Sequence, residues 1–329
     1  MKLPNYLPKL MEIDRKQQLT VRVKNNPLRE LWMKITQKKS AEKLKKHLIE
    51  KYKLQITTRT METYIYRNTL PLKLIPIFEE FDKDIWNKVY SEMQEICYRN
   101  TEGGKTQWIR LPKTLTKELT YIAGALRDGY INLEINRITI VQKTSEKWLT
   151  ETIIPIFQKS FNVNSMKIKE GRMVLYSAPI ALFLSVLFEY TQGKQLYWSA
   201  PSIILRSDKK FQASYFQGYF DAEGSIDTKR AIIRVYQSWH KNEIAPSITH
   251  LRDILEKFGI KSNIYGPQRD EKSFISQLCI FCKENKNNFV IFNKFFGSKH
   301  PTKIEKLKEL SRLLAPKEPR LQLRSLSAG

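Results

Sequence analysis

Two acidic residues occupy matching places in two similar stretches of the chain. Asp128 lies in YIAGALRDG (121–129) and Glu223 in FQGYFDAEG (216–224), each after an apolar run with helical spacing and each followed by a glycine. A carboxylate at a helix C-terminus opposes the helix dipole, and two such groups brought together repel one another in a partly dry site. A hard divalent cation such as Mg²⁺ relieves both effects, because it takes one or two carboxylates and completes its shell with water and phosphate oxygen. The chemistry that suits such a pair is metal-assisted hydrolysis of a phosphodiester.

For the two acids to meet, the elements around them must repeat. From about residue 113 the pattern runs helix, two strands, helix, two strands, helix, and then does so again. Asp128 to Gln142 and Glu223 to Gln237 are both 14 residues. The sequence therefore predicts an α/β chain of the α+β kind with two pseudo-symmetric αββαββα halves, 113–195 and 209–316. A linker over 196–208 joins them and a tail covers 317–329. If a pseudo-twofold axis relates the halves, their opening helices pack side by side at it. Small residues must then lie at the contact, and Gly218 and Ala222 supply them in the second half. Gly129 and Gly224 are expected to let the chain leave each helix in a left-handed conformation.

Residues 1–112 read as helical throughout. Ser40 can cap a helix to about Tyr52, and Thr57 or Thr58 can cap a second, TRTMETYIYR, which makes a helix-turn-helix. Its second helix presents Arg59, Thr60, Thr63 and Arg67, donors suited to a major groove. A small bundle with a solvated basic face is the alternative. This region is expected to add affinity and not chemistry, so that a fragment starting near Leu111 still cleaves.

The 329 residues carry 57 Lys and Arg against 33 Asp and Glu, a net +24, and the field of such an excess attracts polyanions, nucleic acid first. No apolar run approaches the roughly 20 residues that span a bilayer, and MKLPNYLPKLMEIDRK lacks a signal-peptide core. An intracellular, cytoplasmic, nucleoid-associated protein is expected. Three cysteines make no disulfide framework, and the C-x-x-C in LCIFCK alternates like a strand, which points its sulfurs to opposite faces.

On these residues the chain resembles the LAGLIDADG homing endonucleases, most closely the monomeric, two-motif, archaeal intron-encoded type. FQGYFDAEG follows the family pattern, with Gly218 in the third place and Glu223 in the eighth. In YIAGALRDG, Ala123 stands where glycine is usual and Arg127 where a small residue is expected. The resemblance implies a monomeric double-strand DNA endonuclease with a long target site, using Mg²⁺ or Mn²⁺ held at Asp128 and Glu223 with the adjoining Gly129 and Gly224. It carries over Gln142, Lys143 and Gln237 as active-site residues. Ser238 replaces the second lysine, a cation that Lys229 or Arg230 could supply. Each half is expected to give a four-stranded antiparallel sheet, the pair forming a saddle on double-stranded DNA. Outward candidates by alternation are Asn132, Glu134, Arg137 and Thr139, then Arg234 and Tyr236, with Lys229 and Arg230 nearby. Gln142 and Gln237 break the phase, as a bulge would allow. Two alternatives share the fold: a transcription regulator without catalysis, and a maturase whose partner is intron RNA. Retention of both acids favours cleavage over the regulator.

Overall fold

The computed structural model describes residues 1–38, 46, 50–51, 56–99, 107–142, 145–190, 193–194 and 198–315. The N-terminal region runs α1 (Leu7–Ile13), β1 (Leu19–Val23), α2 (Leu28–Lys38), α3 (Thr58–Tyr66), β2 (Thr69–Pro71), α4 (Ile75–Glu79), α5 (Ile85–Glu92) and β3 (Met93–Tyr98). It is not all helical: its strands make an antiparallel sheet in the order β2-β1-β3. The spacing of Ile85, Trp86, Val89, Met93 and Ile96 fits one long helix, yet the chain turns extended at Met93, with φ −60 and ψ 126. There Ile96 pairs with Val21 and Cys97 with Thr20, so burial against a strand more than 70 residues away overrides the local period. Of the expected helix-turn-helix, the first helix and the turn fall largely outside the described residues. The second is α3, capped by the Thr57 hydroxyl, which accepts from the Thr60 N–H at 3.1 Å.

The first half follows as α6 (Lys117–Ala125), a 3₁₀ turn (Leu126–Asp128), β4 (Gly129–Asn132) and β5 (Arg137–Val141). A short helical turn (Glu146–Trp148) and a π-helical turn (Leu149–Ile153) lead into α7 (Ile154–Phe161). Then come β6 (Lys167–Lys169), β7 (Arg172–Tyr176), α8 (Ala178–Phe188) and β8 (Gly193–Lys194). After α9 (Ser202–Leu205), the second half repeats the order. It comprises α10 (Lys209–Glu223), β9 (Gly224–Asp227), β10 (Ile232–Trp239), α11 (Pro246–Lys257), β11 (Asn263–Asp270), β12 (Ser273–Phe281), α12 (Lys286–Phe295) and α13 (Pro301–Leu314). The second sheet has the four expected strands, β11-β12-β10-β9, whereas the first gains a fifth, β6-β7-β5-β4-β8. The extra strand pairs Ile131 with Gly193 and Tyr130 with Lys194 at the end of that half.

Each sheet buries one face. Ile138, Ile140, Ile233 and Val235 point inward, and one continuous apolar core joins both halves to the N-terminal region. The N-terminal region thus packs into the same core as the two halves. The Leu3 N–H donates to the Lys113 carbonyl at 2.9 Å, the Leu115 N–H donates to Met1 at 2.9 Å, and the Tyr6 ring meets Phe183 of α8 edge-on at 4.9 Å. Among the described residues no helix is long and apolar enough to cross a membrane.

Candidate active site

The two motif helices, α6 and α10, cross at glycines. A Cβ on Gly124 would stand 2.1 Å from the Tyr215 carbonyl oxygen, and one on Gly218 would stand 2.2 Å from that of Tyr121. Only hydrogen fits at either place, so the backbones touch directly. The first-half contact is thus Gly124, one residue beyond the expected Ala123. Ala123 is buried, and its carbonyl accepts the Tyr190 hydroxyl at 2.6 Å. Ala222 is half-buried against the core. From Gly124 to Asp128 is four residues and from Gly218 to Glu223 is five, yet both acids end their helices. The 3₁₀ turn over Leu126–Asp128 makes up the difference, since three residues at about 2.0 Å rise and one at about 1.5 Å reach about as far as five at about 1.5 Å.

The glycines after the acids are extended and not left-handed, with φ −163 at Gly129 and −92 at Gly224. Close approach requires them: a Cβ on Gly129 would lie 2.2 Å from the Thr139 carbonyl oxygen, and one on Gly224 would lie 2.4 Å from that of Phe220.

Asp128 and Glu223 are half-buried at these helix ends. Burial pushes the Asp128 carboxyl up to about 6. Burial and then the charge of Asp128 push Glu223 up to about 8. The two acids therefore sense each other, as a convergent pair must. Lys303 of α13 also faces them. Its ammonium donates to the last carbonyls of α10, Phe220 at 2.6 Å and Asp221 at 2.7 Å, where a cation complements the dipole. Burial lowers Lys303 to about 8, against the opposing pull of Asp221, Glu223 and Asp128. Lys303 therefore places a second-half ammonium within electrostatic reach of both acids. Lys229 and Arg230 lie instead, exposed, in the turn between β9 and β10, at the other end of the strand that begins beside Glu223, where Arg230 approaches Asp227 at 4.0 Å. Asp221 is fully buried and accepts the Tyr121 hydroxyl at 2.7 Å, the Ser298 hydroxyl at 2.5 Å and the Lys299 N–H at 2.8 Å. It ties α10 to α6 and to the approach of α13.

Arg127 is wholly buried and turns away from the glycine contact into the second half. It donates to Gln237 Oε1 at 2.7 Å and to the Trp198 carbonyl at 2.9 Å, with its guanidinium 5.2 Å from the Tyr219 ring centre. The Tyr219 hydroxyl also donates to Gln237 Oε1, and Gln237 Nε2 donates to the Ser238 carbonyl at 2.7 Å. Gln237 does not break the strand phase. It follows Ile233 and Val235 on the inward face of β10, whose register with β12 runs without a bulge from Ile232 to Trp239. Gln142 likewise continues the inward phase of Ile138 and Ile140 just past β5, and its N–H donates to Gly171 at 2.8 Å. Lys143 lies outside the described residues.

On the outward faces, cross-strand pairing aligns Lys167, Val174, Thr139 and Tyr130 in one row and Tyr176, Arg137 and Asn132 in the next. Thr139 is on the expected face but only 1% exposed, covered by its neighbours, so it presents nothing outward. The Asn132 carboxamide oxygen accepts the N–H groups of Glu134 and Ile135 and fixes the β4–β5 turn, leaving Glu134 exposed. In the second half, Arg234 bonds Asp227 at 3.2 Å, and Tyr236 aligns with Gln277 and Tyr265. That amide-bearing row was not anticipated. In the N-terminal region Arg59, Thr60, Thr63 and Arg67 gather with Tyr64, Thr69 and Arg99 around a concavity of about 320 Å³.

The family model for a LAGLIDADG-like domain matches residues 210–290. Homing endonuclease I-ApeI of Aeropyrum pernix is 26% identical over 202 residues, which cover 58% of this chain and 86% of that protein. A glutamine–fructose-6-phosphate aminotransferase of Methanocaldococcus jannaschii is 27% identical over 248 residues, covering 72% of this chain but only 21% of its own length. A probable translation initiation factor IF-2 of the same organism is 28% identical over 204 residues and 16% of its length. Among solved structures, I-DmoI in complex with DNA and Ca overlaps 58% of this chain and 97% of its own, with 16% identity and a TM-score of 0.42. The duplicated motif and the paired glycine-packed helices accompany a LAGLIDADG-like domain at residues 210–290, and in these features the chain is similar to the LAGLIDADG homing endonucleases.

Proposed function

We propose that this chain is a site-specific endonuclease that hydrolyses one phosphodiester in each strand of double-stranded DNA, acting as a monomer with Mg²⁺ or Mn²⁺. One observation carries the reading. Two carboxylates from symmetry-related helices converge at the ends of those helices with raised proton affinity, a costly arrangement that a protein made only to bind has no use for. The donor set fits a hard divalent cation. Among the described residues no group of three or more His, Cys, Asp or Glu converges, so such an ion rests on Asp128 and Glu223, with water and phosphate oxygen for the remainder. Gly129 and Gly224 let each chain pass directly from the acid into a strand, which keeps the acids at the helix ends. When bound, the cation supplies a more acidic water and neutralises charge on the phosphate. Lys303 holds positive charge behind both acids, and Arg127 lowers the proton affinity of Glu223 from within the core. Gln142 and Gln237 continue the inward faces of β5 and β10, the strands that pair with those leaving the two acids.

The outward sheet faces take the duplex. Arg137, Lys167, Lys169 and Arg172 suit phosphates, and Tyr236, Gln277 and Gln268 suit base edges. Asn132 and Glu134 at the β4–β5 turn, and Lys229, Arg230 and Arg234 around the β9–β10 turn, lie at the margins. Arg59, Thr60, Thr63 and Arg67 of α3 extend the contact. The partial matches also support a mobile module. An aminotransferase and an initiation factor share no chemistry, and the matched segment fills only 21% of the one and 16% of the other.

The test is cleavage of a plasmid bearing the uninterrupted insertion sequence, with Mg²⁺. Wild type is expected to linearise it, while Asp128→Asn and Glu223→Gln bind the same duplex and cut at least about a hundredfold more slowly. A wild type that cuts no DNA in Mg²⁺ would sink the nuclease reading and leave a regulator, whereas scission-free preference for intron RNA would leave a maturase.

A further inference from the structure

A cavity of about 1040 Å³ opens on the helical side of the second half. Its walls come from α6, α10, α11, α12 and α13 and the connection before α13, with no strand residue among them. Lys117, Lys209, Lys210, Lys257, Lys294 and Lys299 line it, together with Lys308, and no acidic residue does. Lys308 is paired with Glu305 at 2.8 Å, whereas the other six form no ion pair among the described residues. Lys299 feels the carboxylates of Glu118 and Asp221, yet the lining lysines outnumber these acids, and such an excess of positive charge in a concavity draws an anion.

The floor narrows the choice of anion. Phe295 is 47% exposed, and its ring lies 5.2 Å from that of half-buried Phe258. Lysine ammoniums flank both rings, Lys294 at 5.2 Å from Phe295 and Lys209 at 5.5 Å from Phe258. Ammonium groups interleaved with open aromatic faces suit a strand whose phosphates and unstacked bases are both accessible. A duplex keeps its bases stacked inside and has no ring face to offer Phe295. A bare polyphosphate would use the lysines and leave the phenyl rings idle.

We propose that this cavity binds single-stranded nucleic acid, with phosphates on the lysines and a base against Phe295. The site is separate from the acids, because Lys209 and Glu223 stand at opposite ends of the 15-residue helix α10, about 20 Å apart. It stands whether or not the chain cleaves DNA, and it leaves the outward sheet faces free for a duplex at the same time.

The test uses the full chain with fluorescein-labelled (dT)20, read by anisotropy in the presence of excess unlabelled duplex to occupy the sheet faces. Binding is expected to persist under that excess and to weaken steeply with salt. Lys209→Glu/Lys210→Glu/Lys294→Glu is expected to weaken it at least about tenfold, and Phe295→Ala about fivefold, the lower end of the effect of losing one base–aromatic stack. Both variants are checked for unchanged thermal unfolding and duplex binding. Loss of (dT)20 binding under excess duplex, or wild-type affinity in either variant, would overturn the proposal. Loss with the lysine variant alone would identify a simple anion site.

Discussion

Gly124 of α6 lies against the backbone of Tyr215 in α10 so closely that a methyl group would come within 2.1 Å of the Tyr215 carbonyl oxygen. The obstructing atoms are backbone and cannot rotate away. Gly124→Ala is therefore expected to push the two helices apart and to lower stability by about 1–3 kcal/mol, despite the better helix propensity of alanine. Gly218→Ala, facing the Tyr121 carbonyl at 2.2 Å, should match it. Urea unfolding midpoints measure both. An unchanged midpoint in either would mean that the helices do not meet at these glycines.

Arg127→Met removes the donors that Trp198 and Gln237 accept and leaves buried acceptors behind, at an expected cost of about 1–3 kcal/mol. It also removes a positive charge that holds down the proton affinity of Glu223. The lower limb of the pH–rate profile should then move to higher pH, a shift that loss of packing alone would not produce. Arg127→Lys keeps the charge without the fork and should restore the profile more than the stability.

Metal-free stability should pass through a minimum near pH 8. Folding raises Asp128 to about 6 and Glu223 to about 8, so between about pH 4 and 8 the folded chain holds protons that the unfolded chain has released, and stability falls as pH rises. Lys303 is lowered to about 8, so between about pH 8 and 9 the folded chain has released a proton that the unfolded chain keeps, and stability climbs. Above about pH 9 the buried thiols of Cys97 and Cys282, pushed up to about 11 and about 12, oppose the rise. Urea midpoints in chelator between about pH 5 and 10 trace the curve. Asp128→Asn with Glu223→Gln should flatten the descending limb, and Mg²⁺ should fill the minimum. A steady rise across the range would contradict the pairing of the acids.

A fragment beginning near Leu111 should unfold at least about 10 °C lower than the full chain or aggregate, because removing α1 bares the surface of α8 around Phe183. Thermal melts of both forms decide it, and coincident transitions would restore an independent N-terminal unit.

The acids, their helices and the doubled order of elements were legible in the sequence because each is local: a period, a cap, a spacing of 14 residues. Gly124 was within sight in the Ala-Gly pair of YIAGALRDG, but the one-residue offset depends on a 3₁₀ turn that no period announces. Lys303 could not be read at all. It lies 80 residues from Glu223, in a helix whose alternation of lysine and leucine looks like any solvated face. The N-terminal sheet was hidden for the same reason, since β3 has helical spacing until β1 is there to pair with it.

The pairing of residues 1–3 with 113–115 also sets an order of events during synthesis. Residues 1–3 leave the ribosome about 110 residues ahead of these partners, roughly 6–20 s at ordinary elongation rates. Over that interval Leu3, Tyr6, Leu7 and Leu10 have no α8 to cover them and lie open to chaperones that recognise apolar segments. Slow codons placed before residue 190 would lengthen this exposure. The yield of folded chain should then respond to translation speed in that interval more than in the second half, whose strands pair mostly with near neighbours.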